Sequence, residues 1–210
     1  MSKTSSISAV ACVVLLSANI LLVLISWILS AVGIDTVRSL ISGEGVRWLF
    51  GHYADIIATK VLAWLLLLSV SYSSFCMSGL RECIFKLARK QRLAFRQRLA
   101  FRVMIAVLLI QVSITTWLVF STHAVLASPT GDIFPSPFSS GIVPSFAGGV
   151  TLLSFVYGLV NGTINSVGTA FKCLYLKIPA LSPLFIVYIF VSQLCACASF
   201  VFPIPFVFNF

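Results

Sequence analysis

Charge is scarce in this sequence, and acidic charge is the scarcest. Only 9% of the 210 residues are charged, with 5 Asp and Glu against 14 Lys and Arg. A soluble domain carries about 25% charged and roughly 45–50% apolar residues, whereas here the apolar share is 60% and the mean hydropathy is +1.09. This composition excludes a disordered chain, a secreted disulfide scaffold and a soluble enzyme. It predicts an integral membrane protein.

Groupings of reactive side chains are also missing. His52 and His123 have no neighbouring nucleophile, and the few carboxylates form no acid–base pair. No glycine-rich phosphate loop with a following lysine occurs. We therefore expect no catalytic residue, no metal ligand and no enzymatic activity. Cys195 and Cys197 lack a nearby His or carboxylate, so we interpret all 6 cysteines as reduced structural thiols.

Long apolar runs set the predicted architecture. A run of about 18 residues or more is long enough to cross a bilayer, and each such run is predicted to be a helix because backbone groups in lipid must bond internally. The first run is too long for a signal-peptide core and is expected to be a retained helix. We predict an all-α integral membrane protein with one membrane domain over residues 1–210. Its five spans cover residues 7–32, 61–80, 103–122, 142–160 and 184–202.

The distribution of lysine and arginine predicts the orientation. Residues 81–102 hold eight cations against Glu82 alone, and loops of this kind stay in the cytoplasm. We therefore predict a cytoplasmic basic loop over 81–102, an external loop over 123–141, a cytoplasmic N-terminus and a periplasmic C-terminus. Lys3, Lys172 and Lys177 then lie inside.

The basic loop contains an internal repeat. The hexapeptide Gln91–Arg96 is repeated at once as Gln97–Arg102. Because this loop adjoins the membrane, anionic lipid headgroups are the expected partner, ahead of nucleic acid. The predicted headgroup contacts are Arg89, Lys90, Arg92, Arg96, Arg98 and Arg102.

Three connecting segments have their own patterns. Residues 36–50 and 165–178 place apolar side chains at near-helical spacing opposite charged ones, which predicts one or two interfacial amphipathic helices. Residues 128–144 are rich in Pro, Ser and Gly, which predicts a loop rather than a helix.

A few uncharged polar residues lie in or beside the apolar runs. They could line a substrate or ion path at a broken helix end, or they could serve as hydrogen-bond partners between packed helices, the interpretation we favour. No Asp, Glu, Lys, Arg or His lies inside a predicted span, which argues against a proton relay or a voltage sensor. The candidate path residues are Asn161, Thr163, Asn165, Gln111 and Gln193.

Two stretches resemble a known family. One comprises Val37–Phe50 and Met77–Leu80, and the other comprises Ser136–Pro144 and Val156–Asn165. In this order they resemble parts of the AbgT family of p-aminobenzoyl-glutamate transporters, and the final run from Tyr188 to Phe202 is compatible with the helix that follows there.

The resemblance implies a bacterial inner-membrane secondary carrier that is coupled to a sodium or proton gradient and has no other cofactor. Family members are homodimers with inverted repeats, and relatives are implicated in sulfonamide export. They are much longer chains, and residues 103–122 lack the Asn/Ser-Asp cluster expected there. No substrate or cation residue is therefore carried over from the family.

The leading hypothesis is a shortened AbgT-like carrier of p-aminobenzoyl-glutamate-like aromatic amino-acid conjugates. It would act as a homo-oligomer or with a partner membrane subunit. The alternative is a non-transporting scaffold or regulatory subunit that retains part of the transporter fold. A membrane enzyme is a third, weaker reading.

Overall fold

The computed structural model describes residues 3–33, 37–120 and 137–202, and within these ranges every regular element is helical. Five stretches of helix are long and apolar enough to cross a membrane, which confirms the all-α prediction and its five apolar helices. The helices are α1 (Lys3–Ala31), α2 (Gly43–Ile57), α3 (Lys60–Met77), α4 (Leu80–Ala88), α5 (Phe95–Phe120), α6 (Pro137–Asn161), α7 (Val167–Tyr175) and α8 (Ser182–Val201), with a 3₁₀ turn over Ile178–Leu181.

The first amphipathic segment differs from its prediction, because helix α2 covers 43–57 rather than 36–50. Ser42 caps the helix by accepting a hydrogen bond from the Gly45 amide at 3.1 Å. The preceding residues are held by other partners, since the Arg38 amide donates to the Val201 carbonyl and the Leu40 amide donates to the Ser26 hydroxyl. These bonds replace helical ones before residue 43. The second segment forms a helix largely as expected, as α7.

The basic segment is more helical than the predicted loop over 81–102. It contains α4, and α5 begins at Phe95, two turns before the predicted start of the third span at 103. Arginine, leucine, glutamine and alanine are good helix formers, so the repeat extends α5 toward its N-terminus. Only a short connection at 89–94 is not helical, and Lys90 there has a φ of +55°.

The Pro-rich segment 128–144 falls partly outside the described residues, as does most of the predicted external loop 123–141. The loop prediction is wrong for its last part, because α6 begins at Pro137 and continues through Pro144. Proline is favourable in the first turn of a helix, where its missing N–H has no helical partner to lose. Pro137 is therefore compatible with helix at this edge of the described residues.

The helices pack as two compact units. The first unit contains α1, α2, the start of α3 as far as Leu65, and α8; α1 packs along α8, and α2 packs against α8. Trp48 of α2 stacks on Phe200 of α8 with ring centroids 4.4 Å apart. The Asn19 amide donates to Phe190 O on α8 at 3.3 Å. The Tyr188 hydroxyl donates to Ile57 O at 2.8 Å and also contacts the Thr59 hydroxyl.

The second unit contains the rest of α3 together with α4, α5, α6 and α7. Helix α5 packs along α6, and α4 packs against α6. In its core, the buried side chains Leu80 and Cys83 of α4 pack against Tyr157, which is fully buried. The members of this core cluster are Leu80, Cys83, Ala100, Met104 and Tyr157. All six cysteines of the chain are unpaired thiols. The prediction of one membrane domain stays a prediction.

Candidate functional site

Two helices of the second unit end at glycines with left-handed backbone. α3 ends at Met77 and Gly79 has a φ of +83°, while α6 ends at Asn161 and Gly162 has a φ of +82°. Glycine takes this conformation without the steric cost that a Cβ would add. After Gly162 the Thr163 and Ile164 amides both donate to the Gly158 carbonyl, at 3.0 and 3.1 Å, which closes the end of α6.

Thr163 joins the two breaks. Its hydroxyl donates to the Ser78 carbonyl at 2.8 Å and lies 3.1 Å from the Gly158 carbonyl. A Cβ placed on Gly79 would stand 3.6 Å from Thr163 Cγ2 and 3.8 Å from Asn161 Nδ2. The end of α6 therefore lies directly against the turn between α3 and α4. We call this place the helix junction, formed by Ser78, Gly79, Asn161, Gly162 and Thr163.

Three of the five predicted path residues lie together here. Asn161 and Thr163 belong to the helix junction, and Asn165 follows it with an exposed side chain. The Asn165 Oδ1 and the Arg96 Nη1 lie 3.9 and 3.7 Å from the position of a Cβ on Gly162. The junction and Asn165 together therefore carry two side-chain amides and the hydroxyls of Ser78 and Thr163, with the Arg96 guanidinium nearby.

Gln111 lies elsewhere in the second unit. Its amide fills the space beside Gly149 where a Cβ would stand, so it packs between α5 and α6. Its Oε1 is buried and has no hydrogen-bond partner among the described residues. Twelve residues of α6, or about 18 Å of helix, separate Gly149 from Asn161. Gln111 is therefore part of a helix interface and not of the helix junction.

Gln193 belongs to the first unit. With Asn19 it lines a cavity of about 360 Å³ whose other walls are mostly apolar side chains of α1, α8 and the segment near α2. The Asn19 amide already donates to its own helix and to α8. The structure thus distributes the five predicted path residues over three places.

An open cleft of about 800 Å³ lies beside the helix junction, with Gly79 and Thr163 in its wall. Four cations line it, Arg81, Lys86, Arg89 and Lys177, together with one carboxylate, that of Glu82. We call it the basic cleft. Among the residues that the structure describes, none of these four cations forms an ion pair.

Amphipathic helix α4 supplies Arg81 and Lys86, and Arg89 follows directly at its C-terminus. Its apolar face buries Leu80 and Cys83, so the opposite face carries its charges. Lys86 and Arg89 are three apart and share this exposed face. Arg81 lies over the ring of Phe85, 5.7 Å from the ring centroid. The α4 side of the cleft therefore combines charge with an aromatic surface.

Ser73 positions the fourth cation. This fully buried hydroxyl donates to the Cys173 carbonyl at 2.8 Å and accepts from the Lys177 amide at 3.0 Å. The backbone of Lys177 is therefore fixed against α3, and its side chain can reach the cleft. The side chain itself is exposed.

Of the six predicted headgroup contacts, only Arg89 lines the basic cleft. Lys90 and Arg92 are exposed on the connection before α5, and Arg96, Arg98 and Arg102 are exposed at the start of α5. Sequence reasoning missed Arg81, Lys86 and Lys177 as members of one site. The spacing in α4 is a signal for the first two, but only the Ser73 hydrogen bonds reveal Lys177.

The basic cleft gathers four cations around one carboxylate. In the described part of the chain, no group of three or more His, Cys, Asp and Glu side chains could hold a metal ion. No family model, no curated protein and no solved structure matches this chain.

Proposed function

We propose that this chain is an AbgT-like membrane protein that acts as an ion-coupled secondary carrier of p-aminobenzoyl-glutamate-like aromatic amino-acid conjugates. It would work as a homo-oligomer or with a partner membrane subunit. The observation that supports this proposal is the helix junction. Interrupted helices, which free backbone groups and polar side chains, form the substrate and ion sites of many secondary carriers. Here two interruptions meet through Thr163, with Asn161 and Asn165 beside it.

We place the protein in a bacterial inner membrane with its N-terminus in the cytoplasm. The support is the concentration of Lys and Arg between α3 and the apolar part of α5, with few cations elsewhere. In this orientation the helix junction and the basic cleft face the cytoplasm. A sodium or proton gradient would supply the coupling ion.

A non-transporting scaffold or regulatory subunit is the second candidate. It is favoured by Asn19 and Gln111, whose side chains pack between helices instead of lining one continuous path. Polar side chains of this kind commonly stabilise helix association in membranes. The two candidates differ in whether the purified protein moves a solute.

Flux into liposomes tests the proposal. The purified protein is reconstituted alone, and uptake of labelled p-aminobenzoyl-glutamate is followed with and without sodium and proton gradients. We expect gradient-dependent uptake above protein-free liposomes. Asn165→Ala should reduce uptake about tenfold or more if its amide contacts the solute, because loss of a polar partner in a binding site costs about 1–3 kcal/mol.

Ser113→Ala is the matched control, because Ser113 is an exposed polar residue of α5 that bonds only to its own helix. It should leave uptake unchanged. Folding of each variant is followed by circular dichroism. A folded wild-type protein without uptake in either gradient contradicts the carrier and supports the scaffold.

A further inference from the structure

We propose that the basic cleft is a binding site for a phosphate group attached to an apolar body. This inference does not depend on transport, since a carrier and a scaffold would both present the same cleft. It starts from the charges, because four cations share one concave surface with a single carboxylate. Like charges gathered in this way repel one another, and an anion bound among them removes that repulsion.

The lack of ion-pair partners for the four cations supports the same conclusion. None of the four forms an ion pair with another described residue, so their charges are available to a ligand. The guanidinium groups of Arg81 and Arg89 present planar donors that match the oxygens of a phosphate in pairs. The ammonium groups of Lys86 and Lys177 add point charges from α4 and from the segment after α7.

The uncharged wall of the cleft indicates what the phosphate is attached to. Phe85 is more than half exposed and lines the cleft together with Met77 and Cys76. The Thr163 hydroxyl already donates to the Ser78 carbonyl, so it can only accept another hydrogen bond. A phosphate held by the cations would leave its apolar part against Phe85 and Met77.

Hydrogen bonds also hold parts of the cleft wall in a fixed conformation. Its wall includes the Gly79 turn, which Thr163 fixes, and the Lys177 backbone, which Ser73 fixes. A preformed site loses less conformational entropy on binding than a flexible one. The turn before α4 and the backbone that carries Lys177 are therefore held in place before the ligand arrives.

Two sources can supply this chemistry, the headgroup of an anionic phospholipid and a soluble phosphate compound. Binding is measured on the purified full chain in a neutral detergent. One arm titrates mixed micelles that contain phosphatidylglycerol, with phosphatidylcholine micelles as the neutral comparison. The other arm titrates inorganic pyrophosphate. Binding in the lipid arm alone assigns the cleft to a headgroup, and binding in the pyrophosphate arm assigns it to a soluble phosphate; either result supports the site.

Two triple variants distinguish binding at the basic cleft from a general attraction between the cations of the protein and an anion. R81Q/K86Q/R89Q removes three cleft cations, and R47Q/K60Q/K172Q removes three exposed cations that neither line the cleft nor belong to the predicted headgroup contacts. Each Lys or Arg near an anionic partner contributes about a fivefold gain in binding. We therefore expect the cleft variant to bind roughly 100-fold more weakly at low salt, and the control variant to stay within about threefold of wild type. Equal losses in both variants, or no binding in either arm, would overturn the proposal.

A single pair of variants keeps the test decisive if the cleft triple variant does not fold. Lys177→Gln removes the cation that Ser73 positions, whereas Lys172→Gln removes a nearby exposed cation of α7 that does not line the cleft. Lys177→Gln should weaken binding about fivefold, with Lys172→Gln unchanged. Identical affinities for these two variants would contradict the site.

Discussion

A glycine of the first unit lies against backbone, whereas a glycine of the second unit lies against a side chain. A Cβ on Gly45 would stand 2.5 Å from the Ser39 carbonyl oxygen and 2.7 Å from the Leu40 Cα. A Cβ on Gly149 would instead overlap the Gln111 amide. Backbone held by hydrogen bonds cannot move aside easily, but a side chain can change rotamer or be removed by mutation. The first unit should therefore tolerate an added methyl group at Gly45 less well than the second unit tolerates one at Gly149.

The largest effect is expected from Gly45→Ala in the first unit. The added methyl group would meet backbone that the Arg38 and Leu40 amides hold in place. Overpacking costs about 1–3 kcal/mol and sometimes more, and we expect about 3 kcal/mol here. The measurement is unfolding in mixed detergent, followed by circular dichroism and by Trp fluorescence.

Gly51→Ala is the control on the same helix, since no atom lies within 4 Å of its Cβ position. It should be neutral, or stabilising by about 0.5–1 kcal/mol. Equal stability of the Gly45 and Gly51 variants would show that residues 39–40 yield to a methyl group, and the contrast between the units would fail.

A smaller effect, about 1–2 kcal/mol, is expected from Gly149→Ala in the second unit, because only the Gln111 side chain has to give way. Gln111→Ala in the same chain should restore most of the loss. A double-mutant cycle on the free energy of unfolding measures this coupling. Additive losses would mean that Gln111 does not fill the space beside Gly149.

Gly148→Ala provides the neighbouring control, because its Cβ position is empty. The free energy of unfolding of the variant should be at least as large as that of wild type, since alanine is the better helix former. Destabilisation by this substitution would indicate that α6 tolerates no added methyl group at either position.

The smallest effect is expected from Asn19→Leu, which removes the hydrogen bond from α1 to the Phe190 carbonyl. Hydrogen bonds between membrane helices contribute about 0.6 kcal/mol on average, and the apolar contacts between α1 and α8 remain. The midpoint of unfolding in mixed detergent should fall only slightly. Ser17→Ala, which breaks a bond within α1 alone, is the comparison. A loss above about 2 kcal/mol would mean that Asn19 is essential to the α1–α8 contact.

Sequence reasoning was strongest where a helix is apolar along its length. The five long apolar helices follow from run length alone and are confirmed, although α5 extends about two turns beyond the predicted start of its span at residue 103. It was weakest where a competing partner decides a boundary. α2 starts at residue 43 because Ser26 and Val201 bind the amides before it.

The candidate site was only partly accessible from the sequence for a similar reason. Of the five predicted path residues, Asn161, Thr163 and Asn165 are close in sequence and lie near one another at the end of α6, whereas Gln111 and Gln193 lie elsewhere. Lys177 reaches the basic cleft through Ser73, about one hundred residues away along the chain. Periodicity describes one helix at a time, so it cannot reveal a contact of this kind.

The two copies of the repeated hexapeptide, residues 91–96 and 97–102, have different environments in the structure. Six residues turn an α-helix by roughly 600°, which leaves the second copy about 240° from the first. Phe95 and Phe101 both lie in α5, and Phe95 is accordingly 80% exposed while Phe101 packs against the core. Ala94 precedes the helix and is exposed, whereas Ala100 is fully buried. A seven-residue duplication would have returned almost to the same side. The six-residue repeat instead gives the same peptide two different environments. Equivalent positions of the two copies should therefore differ in which substitutions they tolerate.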